Sequence, residues 1–155
     1  MIRSDIHTHT SFSTDSDTPM EDMITAAIEH GLDVLCFTEH MDKDYPAEGA
    51  FLLDTDSYRA KFIELKEKYD GKIRLLWGVE LGLLPHLADW HRSYVNQYPF
   101  DHIIGSEHNP KNRDPYYPEF FEGRSEQEAY TEYFEETIWA IHTLYHCIQF
   151  IERHR

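Results

Sequence analysis

Imidazole and carboxylate side chains crowd the stretch DIHTHTSFSTDSD at residues 5–17. His7 and His9 stand two residues apart at the end of a predicted first strand, and Asp15 follows on a loop. Side chains two apart on a strand point to the same face, so both rings should project together. A single histidine at a strand end is more often a surface or hydrogen-bonded residue than a ligand. The pair is therefore a weak signal until its neighbours are known.

Three further predicted strands end in the same kind of side chain. His40 ends FTEH, Glu80 ends WGVE and His108 ends GSEH. The carboxyl ends of parallel strands meet at one edge of a sheet or barrel, where the active sites of α/β proteins form. A mixed set of histidines and carboxylates suits zinc, manganese or iron, whereas a structural zinc finger would use cysteines. The four strand ends together predict a metal site.

The elements that must position these residues alternate between strand and helix. Predicted strands lie at residues 2–6 and at VLCFTEH, KIRLLWGVELG and FDHIIGSEH. Predicted helices follow them, at about 18–30, 57–69, 85–96 and from Ser125 towards the C-terminus. Four such repeats indicate an α/β protein with a parallel sheet and right-handed crossovers.

Local signals fix some of the helix ends. Thr18, Pro19 and Glu21 predict an N-cap, a proline at the first helical position and a capping-box glutamate, and Gly31 predicts the end of that helix. Histidines away from the strand ends are predicted to lie on the surface, namely His30, His86, His91 and His102.

Composition restricts the partners. The chain has 155 residues and a formal net charge of −15, which disfavours nucleic acid and anionic membranes. A small phosphate ester remains possible because bound cations would invert the local field. The two cysteines, Cys36 and Cys147, predict no disulfide framework and favour the cytoplasm. Neither a signal peptide nor a membrane-spanning apolar run is visible.

Four segments resemble the motifs of the polymerase and histidinol phosphatase (PHP) superfamily: DIHTHTSFSTDS, CFTEHMD, WGVELG and IIGSEHNP. The stretches TPMEDMITAAIEHGLD and DPYYPEFFEGRSEQEAYTEYFEET resemble its histidinol-phosphatase branch, and the similarity covers about residues 1–138. The resemblance implies a distorted seven-stranded (β/α) TIM-like barrel that binds two or three divalent metal ions. It implies hydrolysis of L-histidinol phosphate to L-histidinol and phosphate, in histidine biosynthesis.

The resemblance also implies roles for individual residues. The implied metal ligands are His7, His9, Asp15, His40, Glu80 and His108. Asp17 is an alternative to Asp15, although the family spacing favours Asp15. Glu80 would bridge two ions, and Glu80 and His108 would act in catalysis through the bound metal and its hydroxide.

Later parts of the family pattern are missing. About four of seven strands are present, and the chain lacks a Gly-His-Leu-Asp strand end and a late Asp-x-His. We therefore expect residues 1–155 to form one PHP-type domain that is incomplete at its C-terminus. Such a half-barrel would expose a sheet edge and an apolar face, so a second copy or a missing C-terminal segment is an expected partner.

Two arginines near the loop after the fourth strand, Arg113 and Arg124, are candidates for binding phosphate, although ordinary surface arginines would look the same. Two other functions stay open. One is a different PHP phosphoesterase, and the other is a metal-binding fragment without turnover.

Overall fold

The computed structural model describes residues 3–152, and side chains as far as Thr143. The chain forms two compact units. The first comprises the residues up to Lys43, Ala47–Leu81 and Phe100–Ile104. The second comprises Asp44–Pro46, Gly82–Pro99 and the chain from Gly105 onward.

Strands and helices alternate along the chain as the apolar pattern predicts. The strands are β1 Ser4–Thr8, β2 Val34–Met41, β3 Arg74–Gly82 and β4 His102–Ser106. The helices are α1 Met20–Glu29, α2 Thr55–Lys68, α3 Ala88–Gln97 and α4 Glu126–Glu152. Short 3₁₀ turns lie at Pro85–Leu87, Pro110–Asn112 and Pro118–Phe121.

The four strands form one sheet in the order β1-β2-β3-β4. β1 pairs with β2 and β2 with β3, both in parallel, with His40 opposite Glu80 in the register. This arrangement confirms the predicted α/β class.

The pairing of β1 with β2 shifts by one residue, since Asp5 lies opposite Leu35 but Thr8 lies opposite Phe37. A bulge of this kind bends a strand and redirects its side chains, here beside His7.

The core of the first unit lies around β2 and β3, which are buried on both faces. Near-continuous apolar runs are typical of strands covered on both sides by helices. Trp77 of β3 packs against Phe62 of α2 and Phe100, with ring centroids 6.4 and 4.3 Å apart. These contacts make β3 a rigid support for Glu80, which lies three residues after Trp77.

The predicted capping box is wrong. Pro19 occupies the N-cap position of α1, and no side chain caps that helix. Glu21 instead accepts hydrogen bonds from Lys68 Nζ at 2.6 Å and Tyr69 Oη at 2.8 Å. The carboxylate is thus used to join α1 to the end of α2. The predicted end of α1 is confirmed, because Gly31 has a φ of +75°, which favours glycine.

The predicted surface position of His91 is also wrong. His91 is buried in the second unit, where its Nε2 donates to the carbonyl oxygen of Gly82 at 3.1 Å. A carbonyl acceptor lets an imidazole lie in an apolar interior. His30 and His86 are exposed and His102 is half-buried.

α4 carries large apolar side chains that are exposed in the structure, including Phe134, Ile138 and Trp139. The expected uncovered apolar face of the barrel and the partner that would cover it stay predictions. Among the described residues, no helix is both long and apolar enough to cross a membrane.

Candidate metal centre

His7, His9 and Glu80 meet at the carboxyl ends of β1 and β3. Glu80 Oε2 lies 3.0 Å from His7 Nε2 and 3.2 Å from His9 Nε2. The two Nε2 atoms are 3.0 Å apart. The prediction that the two rings project together is confirmed, although His9 lies just beyond the end of β1.

His40 and Asp15 extend this group. His40 is the next-to-last residue of β2, with Nδ1 3.5 Å from Glu80 Oε2 and Nε2 3.4 Å from Asp15 Oδ2. The His40 ring also lies against the rings of His9 and Phe51, with centroids 4.3 and 5.1 Å apart. His9, Asp15 and His40 therefore form a second group of potential ligands.

The chemistry of these atoms fits a divalent cation. Ring nitrogens and carboxylate oxygens offer lone pairs, and several of them converge around Glu80 Oε2. A tetrahedral zinc ion with bonds of about 2.0–2.1 Å keeps its ligand atoms roughly 3.3 Å apart. The distances of 3.0 and 3.2 Å within the group of His7, His9 and Glu80 are close to that spacing. A cation there would offset the buried charge of Glu80, whose side chain is 5% exposed.

The charged groups around His9 also change the pKa of its ring. Burial of the His9 ring, the largest single influence, lowers the pKa of His9. The hydrogen bond with Glu80 and the charges of Glu80, Asp15 and Glu39 together outweigh it, so the pKa of His9 is raised.

Polar residues that the sequence analysis did not single out lie beneath His9. Glu39 is fully buried and accepts hydrogen bonds from Thr10 and Ser13. Ser13 Oγ also accepts from the His40 backbone N–H at 3.0 Å and lies 3.3 Å from His9 Nδ1. Asp42 is buried too, with Oδ1 3.9 Å from His40 Nδ1. The available signal was the position of Glu39 inside the apolar run of β2, where a charged residue needs partners.

The other predicted site residues lie in the second unit. His108 is half-buried two residues after β4, and its role as a ligand stays a prediction. Arg113 is exposed at the end of the 3₁₀ turn Pro110–Asn112. Arg124 pairs with Glu132, donates from Nε to the Phe120 carbonyl oxygen at 2.8 Å and covers the Phe120 ring. Phosphate binding by either arginine stays a prediction.

Comparison with known families gives a match that covers most of the chain. The PHP domain profile matches residues 5–149. The chain belongs to the PHP family. The match includes all six predicted ligand positions and extends past residue 138, where the resemblance in the sequence ended.

Two relatives of the chain have names that refer to histidinol phosphatase. A Lactococcus lactis protein named histidinol-phosphatase is 32% identical over 134 residues, covering 86% of this chain and 49% of the relative. A Clostridium acetobutylicum protein named "Probable histidinol-phosphatase" is 33% identical over 131 residues, covering 84% of this chain and 49% of the relative. The chain thus spans about half the length of these relatives.

A solved structure shares the fold of this chain over the matched region. The histidinol phosphate phosphatase of Lactococcus lactis, complexed with zinc, L-histidinol and phosphate, superposes with a TM-score of 0.82 at 31% identity. The match covers 86% of this chain and 51% of that chain. The expected relation of this fold to the PHP barrel is thereby confirmed. Metal binding is supported both by that zinc complex and by the ligand groups of this chain.

Proposed function

We propose that this protein is a metal-dependent phosphatase that hydrolyses L-histidinol phosphate to L-histidinol and phosphate. The observation that carries the proposal is the convergence of His7, His9 and His40 on Glu80 Oε2 at the carboxyl edge of the sheet. The names of the relatives, and the ligands of the Lactococcus lactis structure, supply the substrate.

The residues of the first unit would hold two of the two or three divalent ions of this proposal, which are zinc, manganese or iron. His7, His9 and Glu80 would bind one ion, and His40 and Asp15 another. Bound divalent ions lower the pKa of water and offset the charge on phosphoryl oxygens. Glu80 lies nearly out of solvent, so its carboxylate is held in one place and its charge is weakly screened.

Bound cations would let such a site accept an anion despite a net charge of −15, and the ligands differ in their exposure to solvent. His9 and His40 are largely buried, whereas the side chains of His7 and Asp15 are 47% and 46% exposed. The more exposed ligands would face an incoming phosphate ester from solution. The buried ones keep the spacing of the group fixed.

The test is phosphate release from L-histidinol phosphate by the zinc- or manganese-loaded chain. Phosphoserine and p-nitrophenyl phosphate serve as alternative monoesters, and His7→Ala is the variant that removes a ligand. We expect hydrolysis that prefers L-histidinol phosphate and is abolished in His7→Ala. A rate that His7→Ala leaves unchanged would contradict the proposal, and equal rates on all esters would favour another PHP phosphoesterase.

A second candidate is a metal-binding PHP domain without turnover. It requires only the groups of potential ligands that the described residues bring together. Zinc binding that requires His7 and Glu80, without phosphate release from any ester, would support this second function.

A further inference from the structure

Glu39 forms the base of a buried hydrogen-bond network in the first unit. Its side chain has no exposed surface, yet it ends in a carboxylate. Thr10 donates to Glu39 from its backbone N–H to Oε2 at 2.9 Å and from its hydroxyl to Oε1 at 2.7 Å. Ser13 Oγ donates to Oε2 at 2.7 Å. A backbone N–H can only donate, so Oε2 is an acceptor in this network.

This network determines what Ser13 can do for His9. A serine hydroxyl has one proton and two lone pairs. The proton of Ser13 is directed to Glu39 Oε2, and one lone pair receives the backbone N–H of His40 at 3.0 Å. Only an acceptor position remains for His9 Nδ1, which lies 3.3 Å from Ser13 Oγ. His9 must therefore carry a proton on Nδ1.

We propose that Ser13 is a positioning residue that holds His9 with its proton on Nδ1, leaving Nε2 as the one ring nitrogen available to a metal ion. The proposal deepens the proposed function, because it states how one ligand of that metal site is oriented. A hydrogen bond to the outer nitrogen of a metal-binding histidine sets both the ring orientation and the proton position.

The orientation of the ring agrees with this assignment. His9 Nε2 faces the group of ligands, 3.0 Å from His7 Nε2 and 3.2 Å from Glu80 Oε2. Nδ1 faces the buried network instead. With Nδ1 protonated, His9 would offer a single ring nitrogen, Nε2, to a cation.

The experiment is an ¹H–¹⁵N NMR measurement of the imidazole nitrogens in the full chain, without metal and after addition of zinc. The His9 signals are identified by their loss in His9→Gln. We expect a proton on Nδ1 of His9 in both states, and zinc on Nε2 in the second. A proton on Nε2 alone in the metal-free protein, or zinc on Nδ1, would overturn the proposal. The metal-free result does not depend on phosphatase activity, so the proposed function can fail separately.

Two serine variants test the role of the hydroxyl. Ser13→Ala should release the Nδ1 proton to rapid exchange and weaken zinc binding by about 10- to 100-fold, as loss of an outer partner does. Ser16→Ala is the matched control, because Ser16 Oγ contacts the His9 carbonyl oxygen at 3.4 Å and not its ring. It should leave both properties unchanged. Weaker zinc binding in Ser13→Ala with an unchanged Nδ1 proton would overturn the assigned role, and the wild-type measurement remains decisive if Ser13→Ala does not fold.

Discussion

His7 Nε2 and Glu80 Oε2 lie 3.0 Å apart although 73 residues separate them in the chain. Parallel pairing brings the ends of β1, β2 and β3 to one edge, and His40 stands opposite Glu80 in the register. Glu80 therefore contacts ligands from both other strands. Its carboxylate lies at the middle of the candidate metal centre, within 3.5 Å of ring nitrogens of His7, His9 and His40.

Replacing Glu80 should reduce metal binding more than any change outside the site. Glu80→Gln keeps the size of the side chain but removes its negative charge and one ligand atom. We expect zinc affinity to fall by at least about 100-fold, since even the loss of outer partners costs up to that amount. Competition with a coloured chelator measures the affinity. Glu64→Gln on the exposed face of α2 is the matched control, and equal affinities of the two variants would contradict the site.

Zinc should stabilise the folded chain. A ligand that binds only the native state at 100 times its Kd adds about 2.7 kcal/mol to the free energy of unfolding. Thermal unfolding with excess zinc, and then with a chelator, measures this difference. The shift should be lost in His7→Ala. A melting temperature that does not respond to zinc would show that no native site forms.

The thiol of Cys36 should be inert in the folded protein. Burial, together with the charges of Asp101 and Asp5, raises the pKa of Cys36 from 9.0 to about 12. The reactive thiolate is therefore almost absent at pH 8. We expect no reaction with a disulfide reagent until denaturant unfolds the chain. The test uses a Cys147→Ser background, because the side chain of Cys147 lies outside the described residues.

The same shift fixes the direction of a pH effect on stability. The unfolded thiol loses its proton near pH 9, whereas the folded thiol keeps its proton until about pH 12. The contribution of Cys36 to the free energy of unfolding is thus fully present below pH 9, and it is lost as the pH rises from 9 to about 12. Urea unfolding should show a steeper loss of stability above pH 9 than in Cys36→Ala, and parallel curves for the two proteins would refute the assignment.

Gly78 should not tolerate a side chain. A Cβ at this position of β3 would lie 2.8 Å from the Phe37 carbonyl oxygen and 2.9 Å from that of His102. Both are backbone atoms of the sheet and cannot turn away. Gly78→Ala should lower the free energy of unfolding by about 3 kcal/mol. Gly71→Ala is the control, since its Cβ would meet nothing within 4 Å and only its positive φ opposes the change. Equal effects in urea unfolding would argue against the steric explanation.

Replacing Arg124 and replacing Arg113 by alanine should have different effects on stability. The guanidinium of Arg124 contacts Glu132 and the Phe120 carbonyl oxygen, so Arg124→Ala should cost about 1 kcal/mol of stability after allowance for partial exposure. Arg113→Ala changes an exposed position and should leave stability unchanged. If either arginine binds phosphate, its variant will raise KM for the phosphate ester. A lower stability of Arg113→Ala than of Arg124→Ala would contradict the packing described here.

The fold class could be inferred from the sequence, and so could the convergence of His7, His9, His40 and Glu80, because both follow from the order of the strands. Once β1, β2 and β3 are parallel, His7, Glu80 and His40 must share an edge. Local polar contacts could not be inferred in the same way. Glu21 suited a cap but pairs with Lys68, which is distant in sequence. His91 lies in the interior, where the Gly82 carbonyl oxygen accepts a hydrogen bond from its ring. Ser13 has no distinguishing pattern until folding places it between Glu39 and His9.

The most direct test of the metal centre is an anomalous-scattering map of crystals of the chain grown with zinc. We predict a zinc peak bonded to His7 Nε2, His9 Nε2 and Glu80 Oε2 at about 2.0–2.2 Å. Zinc bound elsewhere on the chain, with these three side chains left without an ion, would contradict the account.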